Sequence, residues 1–213
     1  TGGQIYINTG ARPFIPPIEG LADSRFVYTS ETLMELDDLP ARLVIIGGGY
    51  IGLEFASYYA NFGSAVTVVQ DGEAFIPKED RELADAVLES LRGRGIRIIR
   101  GAAVRSVKDG ETSVAITVGI DRKEEILEAD AVLVATGRRP NTAGLNLEAA
   151  GVELTERGAV KVDETLRTTA PGIWAMGDVA GGLQFTYISL DDSRIVRSQL
   201  LGDGSRTTAN RGA

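Results

Sequence analysis

The clearest hydrophobic pattern in the chain lies between residues 43 and 69. Residues 43–46 are an unbroken aliphatic run rich in β-branched side chains, which is typical of a parallel strand buried on both faces. A glycine-rich turn follows at once, and then Phe55, Tyr59 and Phe62 recur at helical spacing. A second β-branched run at 65–69 completes a predicted strand, turn, helix and strand unit.

The same patterns predict further elements along the chain. Leu83, Val87, Leu88 and Leu91 are expected to share one face of a helix, and the proline-rich stretch 11–20 is expected to be a connector. We predict strands at 4–8, 96–99, 131–135 and 172–175 and helices at 80–91 and 186–201. We also predict a hairpin at Asp109 and Gly110. This alternation predicts an α/β fold with a parallel sheet, and we expect the sheet to be accompanied by a β-meander.

Composition narrows the possible functions. The 213 residues are 43% hydrophobic and 24% charged, as in ordinary soluble proteins, and the net charge of −8 argues against nucleic-acid binding. We expect a cytoplasmic protein without membrane partners, because neither a long apolar run nor a signal peptide is present. The chain has no cysteine or histidine, which excludes thiolate and imidazole chemistry and the usual zinc sites. We therefore predict no metal site and no catalytic residue in this chain.

The glycine-rich turn carries the first functional hypothesis. Gly47 permits a tight turn, Gly49 lets the backbone approach a pyrophosphate, and Gly52 lets the following helix pack closely on its strand. The free N–H groups at the start of that helix would face the anion. A purely structural glycine turn is the alternative, but the flanking strands and helix favour dinucleotide binding.

Three motifs occur in a fixed order: GGGYIGLE at 47–54, ATGRRPN at 135–141 and TTAPGIWAMGD at 168–178. Together they resemble the two-dinucleotide flavoprotein disulfide reductases, a family that includes lipoamide dehydrogenase, glutathione reductase and mercuric reductase. The resemblance implies a Rossmann-like NAD(P)-binding domain inserted into a discontinuous FAD-binding domain. The implied division is an FAD-domain segment at 1–38, the NAD(P)-binding domain at 39–140, a returning FAD-domain segment at 141–201 and a mobile tail at 202–213.

The resemblance also implies roles for individual residues. Tyr50 matches an aromatic residue near the flavin, Glu54 a glutamate near the nicotinamide, and Asp178 an acid that accepts a hydrogen bond from the FAD ribityl chain. A packed tyrosine, a surface carboxylate and a helix-capping aspartate are the respective alternatives. The implied NAD(P) contacts are Gly47, Gly49, Tyr50, Ile51, Gly52, Glu54, Gln70, Asp71 and Gly137, and the implied FAD contacts are Thr9, Gly10, Gly177, Asp178, Phe185 and Thr186.

Two stretches depart from the family pattern. Gln70 and Asp71 stand where an acid for the NAD ribose or nearby arginines for NADP are usual, and we lean towards NADH because Asp71 would repel a 2′-phosphate. Lys78 and Arg81 are the nearby basic residues that favour NADPH instead. The second departure, FTYISLDDSRIV at 185–196, is similar to bacterial flavoenzymes of reactive-chlorine resistance, a branch that reduces metal ions such as copper(II).

Other features of the sequence indicate structural roles and a longer parent. Asp191 and Asp192 are predicted to lie on a solvated helix face, and Trp174 in the core. The chain begins within a predicted strand and without methionine, so we expect it to be the central part of a longer polypeptide, inactive and free of FAD alone. The resemblance implies that the full-length protein is a homodimer through a C-terminal domain absent from this sequence.

The leading hypothesis is an oxidoreductase that passes hydride from NAD(P)H to FAD and then electrons to a disulfide, a metal ion or another oxidant. A flavin reductase without redox cysteines is one alternative. A non-catalytic NAD(H)-binding redox sensor is the other, although such a sensor would not need the motif at 168–178.

Overall fold

The computed structural model describes residues 2–121 and 123–211 and shows an α/β protein. The chain divides into two compact units, one formed by residues 1–12 with 138–213 and the other by Pro13–Gly137. The strands are β1 (Ile5–Ile7), β2 (Ala11–Pro13), β3 (Val27–Tyr28), β4 (Arg42–Ile46), β5 (Ala65–Val69), β6 (Arg97–Ile99), β7 (Ala102–Asp109), β8 (Val114–Ile120), β9 (Lys123–Ala129), β10 (Ala131–Val134), β11 (Arg138–Pro140) and β12 (Ile173–Ala175). The α-helices are α1 (Tyr50–Phe62), α2 (Arg81–Gly93) and α3 (Thr186–Leu201), and 3₁₀ turns lie at Leu33–Glu35, Glu148–Ala150, Gly177–Ala180 and Thr208–Asn210.

The unit Pro13–Gly137 is built on a parallel sheet with the order β3-β10-β4-β5-β6. Its central strand β4 explains the aliphatic run, because the strand is covered on both faces. Leu43 and Ile45 are buried with residues of α1 and α2, whereas Val44 and Ile46 are buried with residues of the second sheet. Alternate side chains of one strand therefore fill two separate cores.

The second sheet of this unit is antiparallel, with the order β7-β8-β9. The predicted hairpin at Asp109 and Gly110 is confirmed, since β7 ends at Asp109 and pairs with β8. No strand was predicted at the position of β9, whose segment KEEILEA buries Leu127 and Ala129 and exposes most of its other side chains. A strand with one solvated face needs few apolar residues.

The other unit contains two short strand pairs and α3. Strand β1 pairs in parallel with β12, and β2 pairs with β11. Strands β2 and β11 are the last three residues of two similar hexamers, NTGARP at 8–13 and ATGRRP at 135–140. Trp174 is 6% exposed and packs with Ile195 and Val196 of α3, so its predicted core position is confirmed. Across the described residues, no helix combines the length and apolar character needed to cross a membrane.

The unit boundaries differ from the predicted domain limits. Residues 13–38 pack with the Pro13–Gly137 unit, because β3 pairs with β10 and Leu21 and Leu33 are fully buried in its two cores. The predicted domain limits of 1–38 and 39–140 stay a prediction about the flavin and nicotinamide segments. In the tail, the described residues up to 211 make polar contacts, among them the ion pair of Arg206 with Asp191, and the predicted mobility of 202–213 stays a prediction. Residues 212 and 213 lie outside the described residues.

Candidate dinucleotide and flavin sites

The turn between β4 and α1 is so tight at two of its glycines that no larger residue would fit there. Gly47 has a φ of +113° and donates its N–H to the carbonyl of Val69 at 2.8 Å. A Cβ at Gly47 would lie closer than 3.0 Å to the carbonyl oxygen of Ala135, and one at Gly52 closer than 3.0 Å to that of Gly47. Gly47 and Gly52 are therefore required for the fold of the turn itself.

Gly49 differs, because no protein atom lies within 4 Å of the position that its Cβ would occupy. Its backbone is extended, with φ −82° and ψ 179°, so the conformation does not require glycine. Gly49 is also the N-cap of α1, where no side chain caps the helix and no acidic residue occupies the first turn. The start of α1 thus offers uncapped N–H groups beside open space, which suits an anion such as a pyrophosphate.

The end of β10 lies beside the same turn. Ala135 donates its N–H to the carbonyl of Ile46 at 2.8 Å, and Gly137 follows with a φ of +114° and nothing within 4 Å of its Cβ position. The structure therefore brings the predicted residue Gly137 to the carboxyl edge of the sheet that also carries Gly47. Ligands of open α/β sheets bind at that edge.

Gln70 and Asp71 directly follow β5 and lie in different environments. Gln70 is 8% exposed, and its Nε2 donates to the carbonyls of Gly72 at 2.6 Å and Ala74 at 3.1 Å. Asp71 is exposed, and its Oδ1 accepts the N–H of Gly72 at 2.8 Å. Gln70 thus supports the loop with its amide group, whereas Asp71 remains accessible to a ribose.

Tyr50 and Glu54 lie on the same open groove, of about 460 Å³. The groove runs between α1 and α2 and is lined by Tyr50, Leu53, Glu54, Ser57, Ile76, Glu79, Leu83, Val87, Leu91 and Arg94. Leu83, Val87, Leu88 and Leu91 were predicted to share one face of α2. On that face Leu88 and Leu91 are buried, whereas Leu83 and Val87 are 63% and 39% exposed. The predicted apolar face of α2 is therefore only partly covered in this unit.

Glu79, which lies just before α2, was not among the predicted site residues. The Tyr50 hydroxyl donates to the Glu79 carboxylate, and this hydrogen bond raises the pKa of Tyr50 above its ordinary value. At the other end of the groove, Arg94 donates to the Ser57 hydroxyl at 2.6 Å. Ile51, also predicted as a contact, is half-buried in the first turn of α1.

The predicted flavin residues lie in the unit of residues 1–12 and 138–213. Asp178 is half-buried within the turn Gly177–Ala180, and its carboxylate has no hydrogen-bond partner among the described residues. Thr9 and Gly10 are tied to Asn141, since the Thr9 hydroxyl donates to the Asn141 carbonyl at 2.7 Å and the Gly10 carbonyl accepts the Asn141 N–H at 2.9 Å. Asp178 is thus an available acceptor, as a ribityl contact requires.

Phe185 and Thr186 mark the start of α3. Phe185 is its N-cap, no side chain caps the helix, and its first turn has no acidic residue. Both residues are exposed, and the Phe185 ring stacks on Tyr187 with 5.4 Å between ring centroids. The predicted solvated face of α3 is wrong at Asp192, which is 2% exposed. Asp192 can be buried because Arg211 and the N–H of Gly177 hydrogen-bond its carboxylate. Both partners are distant in sequence, so no local pattern reveals them.

The parallel sheet with its glycine turn places this chain among α/β proteins with a Rossmann-type domain. A family model described as pyridine nucleotide-disulphide oxidoreductase matches residues 1–193. The chain belongs to the pyridine nucleotide-disulphide oxidoreductase family.

Several relatives are similar over nearly the whole chain. The probable pyridine nucleotide-disulfide oxidoreductase RclA of Escherichia coli K12 is 51% identical over 99% of this chain and 47% of its own length. A mercuric reductase of Staphylococcus aureus is 39% identical over 97% of this chain and 38% of its own length. The chain therefore spans less than half the length of these relatives.

Solved structures agree with this assignment. A Cu(II) complex of the HOCl-induced flavoprotein disulfide reductase RclA from Escherichia coli aligns with a TM-score of 0.93 at 51% identity, covering 99% of this chain and 47% of that one. LpdA from Mycobacterium tuberculosis aligns with a TM-score of 0.83 at 33% identity, covering 92% of this chain and 42% of that one.

Proposed function

We propose that the unit Pro13–Gly137 binds NAD(P)H as part of a flavoprotein oxidoreductase that passes hydride from NAD(P)H to FAD and then electrons to an oxidant. The observation that carries the proposal is the open space at Gly49, beside an uncapped helix start with no acidic residue in its first turn. A ligand phosphate can occupy that space without displacing protein atoms, and the helix dipole favours its charge.

The residues of the groove supply the environment for the nicotinamide half. Tyr50 and Glu54 line the groove that begins at the first turn of α1, so a dinucleotide with its pyrophosphate at Gly49 would extend along them. Gln70 holds the loop after β5, and Asp71 would accept a ribose hydroxyl. Because Asp71 is exposed and negative, we propose NADH rather than NADPH as the preferred cofactor.

The flavin role is proposed for the unit that contains Asp178. Its half-buried carboxylate, without a partner among the described residues, fits a ligand that carries hydroxyl groups. FAD, when bound, would supply the hydride-accepting and electron-transferring chemistry. Asp178 would accept a hydrogen bond from it, and the uncapped start of α3 would stabilise negative charge.

We propose a metal ion or a disulfide as the oxidant used by the whole protein. Metal ions are named for two similar proteins, the mercuric reductase of Staphylococcus aureus and the copper(II) complex of RclA. This chain has no cysteine or histidine, and the described residues hold no cluster of three or more His, Cys, Asp or Glu that could bind a metal. The acceptor chemistry would therefore reside outside residues 1–213.

Isothermal titration calorimetry with NADH, ADP-ribose and AMP tests the binding proposal. Because the pyrophosphate is the recognised group, NADH and ADP-ribose should bind with similar affinity, and AMP should bind at least tenfold more weakly. No measurable heat with NADH, NADPH or ADP-ribose would refute it. In the FAD-loaded holoenzyme, NADH oxidation with Cu(II), Hg(II) and a disulfide would identify the acceptor, and binding without turnover would favour the redox-sensor alternative.

A further inference from the structure

Asp192 is a buried acid in α3. It is 2% exposed. Its Oδ2 accepts the N–H of Gly177 at 2.8 Å, and its Oδ1 pairs with the guanidinium of Arg211. The two oxygens of one carboxylate thus connect α3 to the turn that carries Asp178 and to the C-terminal segment.

The turn at Gly177 leaves little room for adjustment. A Cβ at Gly177 would lie 3.0 Å from Oδ1 of Asn8 and 3.1 Å from Oγ of Ser189. Gly177 is therefore enclosed on two sides, and its N–H is fixed by Asp192. Because Gly177 begins the 3₁₀ turn, this one hydrogen bond sets where the next residue, Asp178, is presented.

The C-terminal segment supplies the charge that a buried carboxylate needs. Arg211 is a partly buried partner, with its side chain 24% exposed, and Arg206 pairs with the neighbouring Asp191 at 2.6 Å. Burying an ionised carboxylate is costly unless it is paired and hydrogen-bonded. Residues 206–211 are thus bound to α3 by charge, although the segment lacks apolar anchors.

We propose that Asp192 is a positioning residue for the flavin side of this protein. Its carboxylate, neutralised by Arg211, holds the turn Gly177–Ala180 in the conformation that presents Asp178 to the flavin. This inference rests on the flavin role proposed above for Asp178. It also gives the C-terminal segment a function, because removal of Arg211 weakens the support of the turn.

Amide hydrogen exchange of Gly177, measured by NMR without any ligand, tests the support of the turn. The exchange rate should rise at least tenfold in Asp192→Asn and about threefold in Arg211→Gln, and Arg211→Lys should restore most of the protection. The matched control is Asp203→Asn, because the exposed Asp203 also accepts a backbone N–H, from Ser205 at 3.0 Å. Gly177 exchange equal in Asp192→Asn and the control would overturn the proposal.

Folding is checked with the fluorescence of Trp174, the single tryptophan of the chain, which packs against α3. If Asp192→Asn loses the native emission, Arg211→Gln carries the test, since it leaves the bond between Asp192 and Gly177 possible. Unchanged Gly177 exchange in that variant would then overturn the proposal.

The flavin readout uses the FAD-loaded holoenzyme. Asp192→Asn should retain at least threefold less FAD per chain after gel filtration than the Asp203→Asn control, with NADH affinity unchanged. Equal FAD retention would overturn the positioning role. Absence of NADH binding in every variant would refute the NAD(P)H part of the proposed function, whereas Gly177 exchange would still report on Asp192.

Discussion

Gly49 and Gly52 lie three residues apart and should respond to substitution in opposite ways. In Gly49→Val the new side chain enters open space, whereas in Gly52→Ala the new Cβ lies closer than 3.0 Å to the Gly47 carbonyl. The first change should leave the fold intact and abolish NADH binding. The second should destabilise the chain before any ligand is added.

The magnitudes follow from packing and linkage. Overpacking at Gly52 should cost about 1–3 kcal/mol, and a chain of this size loses roughly 2–4 °C in Tm per kcal/mol, which gives a decrease of about 2–12 °C. At Gly49 the loss of a favourable N-cap residue and the reduced entropy of the unfolded chain roughly offset each other. The Tm of Gly49→Val should therefore change by less than about 3 °C.

Circular dichroism melts with and without NADH measure both effects. At a concentration of 100 Kd, NADH stabilises the native state by about 2.7 kcal/mol, or roughly 5–11 °C. Wild type should show this increase and Gly49→Val should not, with a Kd raised at least tenfold by calorimetry. Equal NADH stabilisation of wild type and Gly49→Val would show that the pyrophosphate does not bind at this turn.

Three further predictions concern cofactor choice, pH and flavin. Asp71→Arg should improve NADPH binding relative to NADH by about tenfold, because it replaces a repelling acid with a phosphate-binding cation. Gln70→Arg should instead disrupt the loop that Gln70 supports. Calorimetry showing that wild type already prefers NADPH would contradict the cofactor prediction. The hydrogen bonds from Arg42 lower the pKa of Asp130 below its ordinary value of 3.8. The pair therefore stabilises the fold at pH values above 3.8, and this stabilisation is lost as the pH falls through the lowered pKa. The difference in unfolding free energy between pH 7 and pH 3, measured with urea, should be smaller in Asp130→Asn than in wild type, and an equal difference would disprove the prediction. The isolated chain should be colourless and should not oxidise NADH with added FAD, because the described residues contain one strand, glycine-turn and helix unit and we propose that it binds the nicotinamide cofactor. A stoichiometric yellow complex would refute this.

Sequence patterns were sufficient where local periodicity determines the element. The aliphatic strand β4, the glycine turn and α1 follow from residue spacing alone, because each depends on neighbours within a few positions. The two-residue strand β3 and the charged strand β9 carry no such signal, since they are fixed by pairing with β10 and β8. Their assignment needs tertiary structure.

In the candidate sites, too, local spacing predicts some features and long-range contacts determine the others. The tight turn at Gly47 could be inferred from motif spacing and agrees with its positive φ. The pyrophosphate role of Gly49 stays a prediction, to which the structure adds that the space around its Cβ position is open. The burial of Asp192 and the amide contacts of Gln70 could not be inferred. Asp192 depends on an arginine 19 residues further along the chain, and side-chain burial at such a position is decided by long-range contacts.

The pairing of β2 with β11 has a consequence for the modularity of the chain. Phe14 donates its N–H to the carbonyl of Gly137 at 3.0 Å, so the unit Pro13–Gly137 begins and ends at neighbouring points. A segment with adjacent ends forms a closed loop of chain, and such loops can be exchanged between proteins with little disturbance of the flanking sequence. Recombination or protein engineering could therefore replace the unit Pro13–Gly137 at two adjacent junctions.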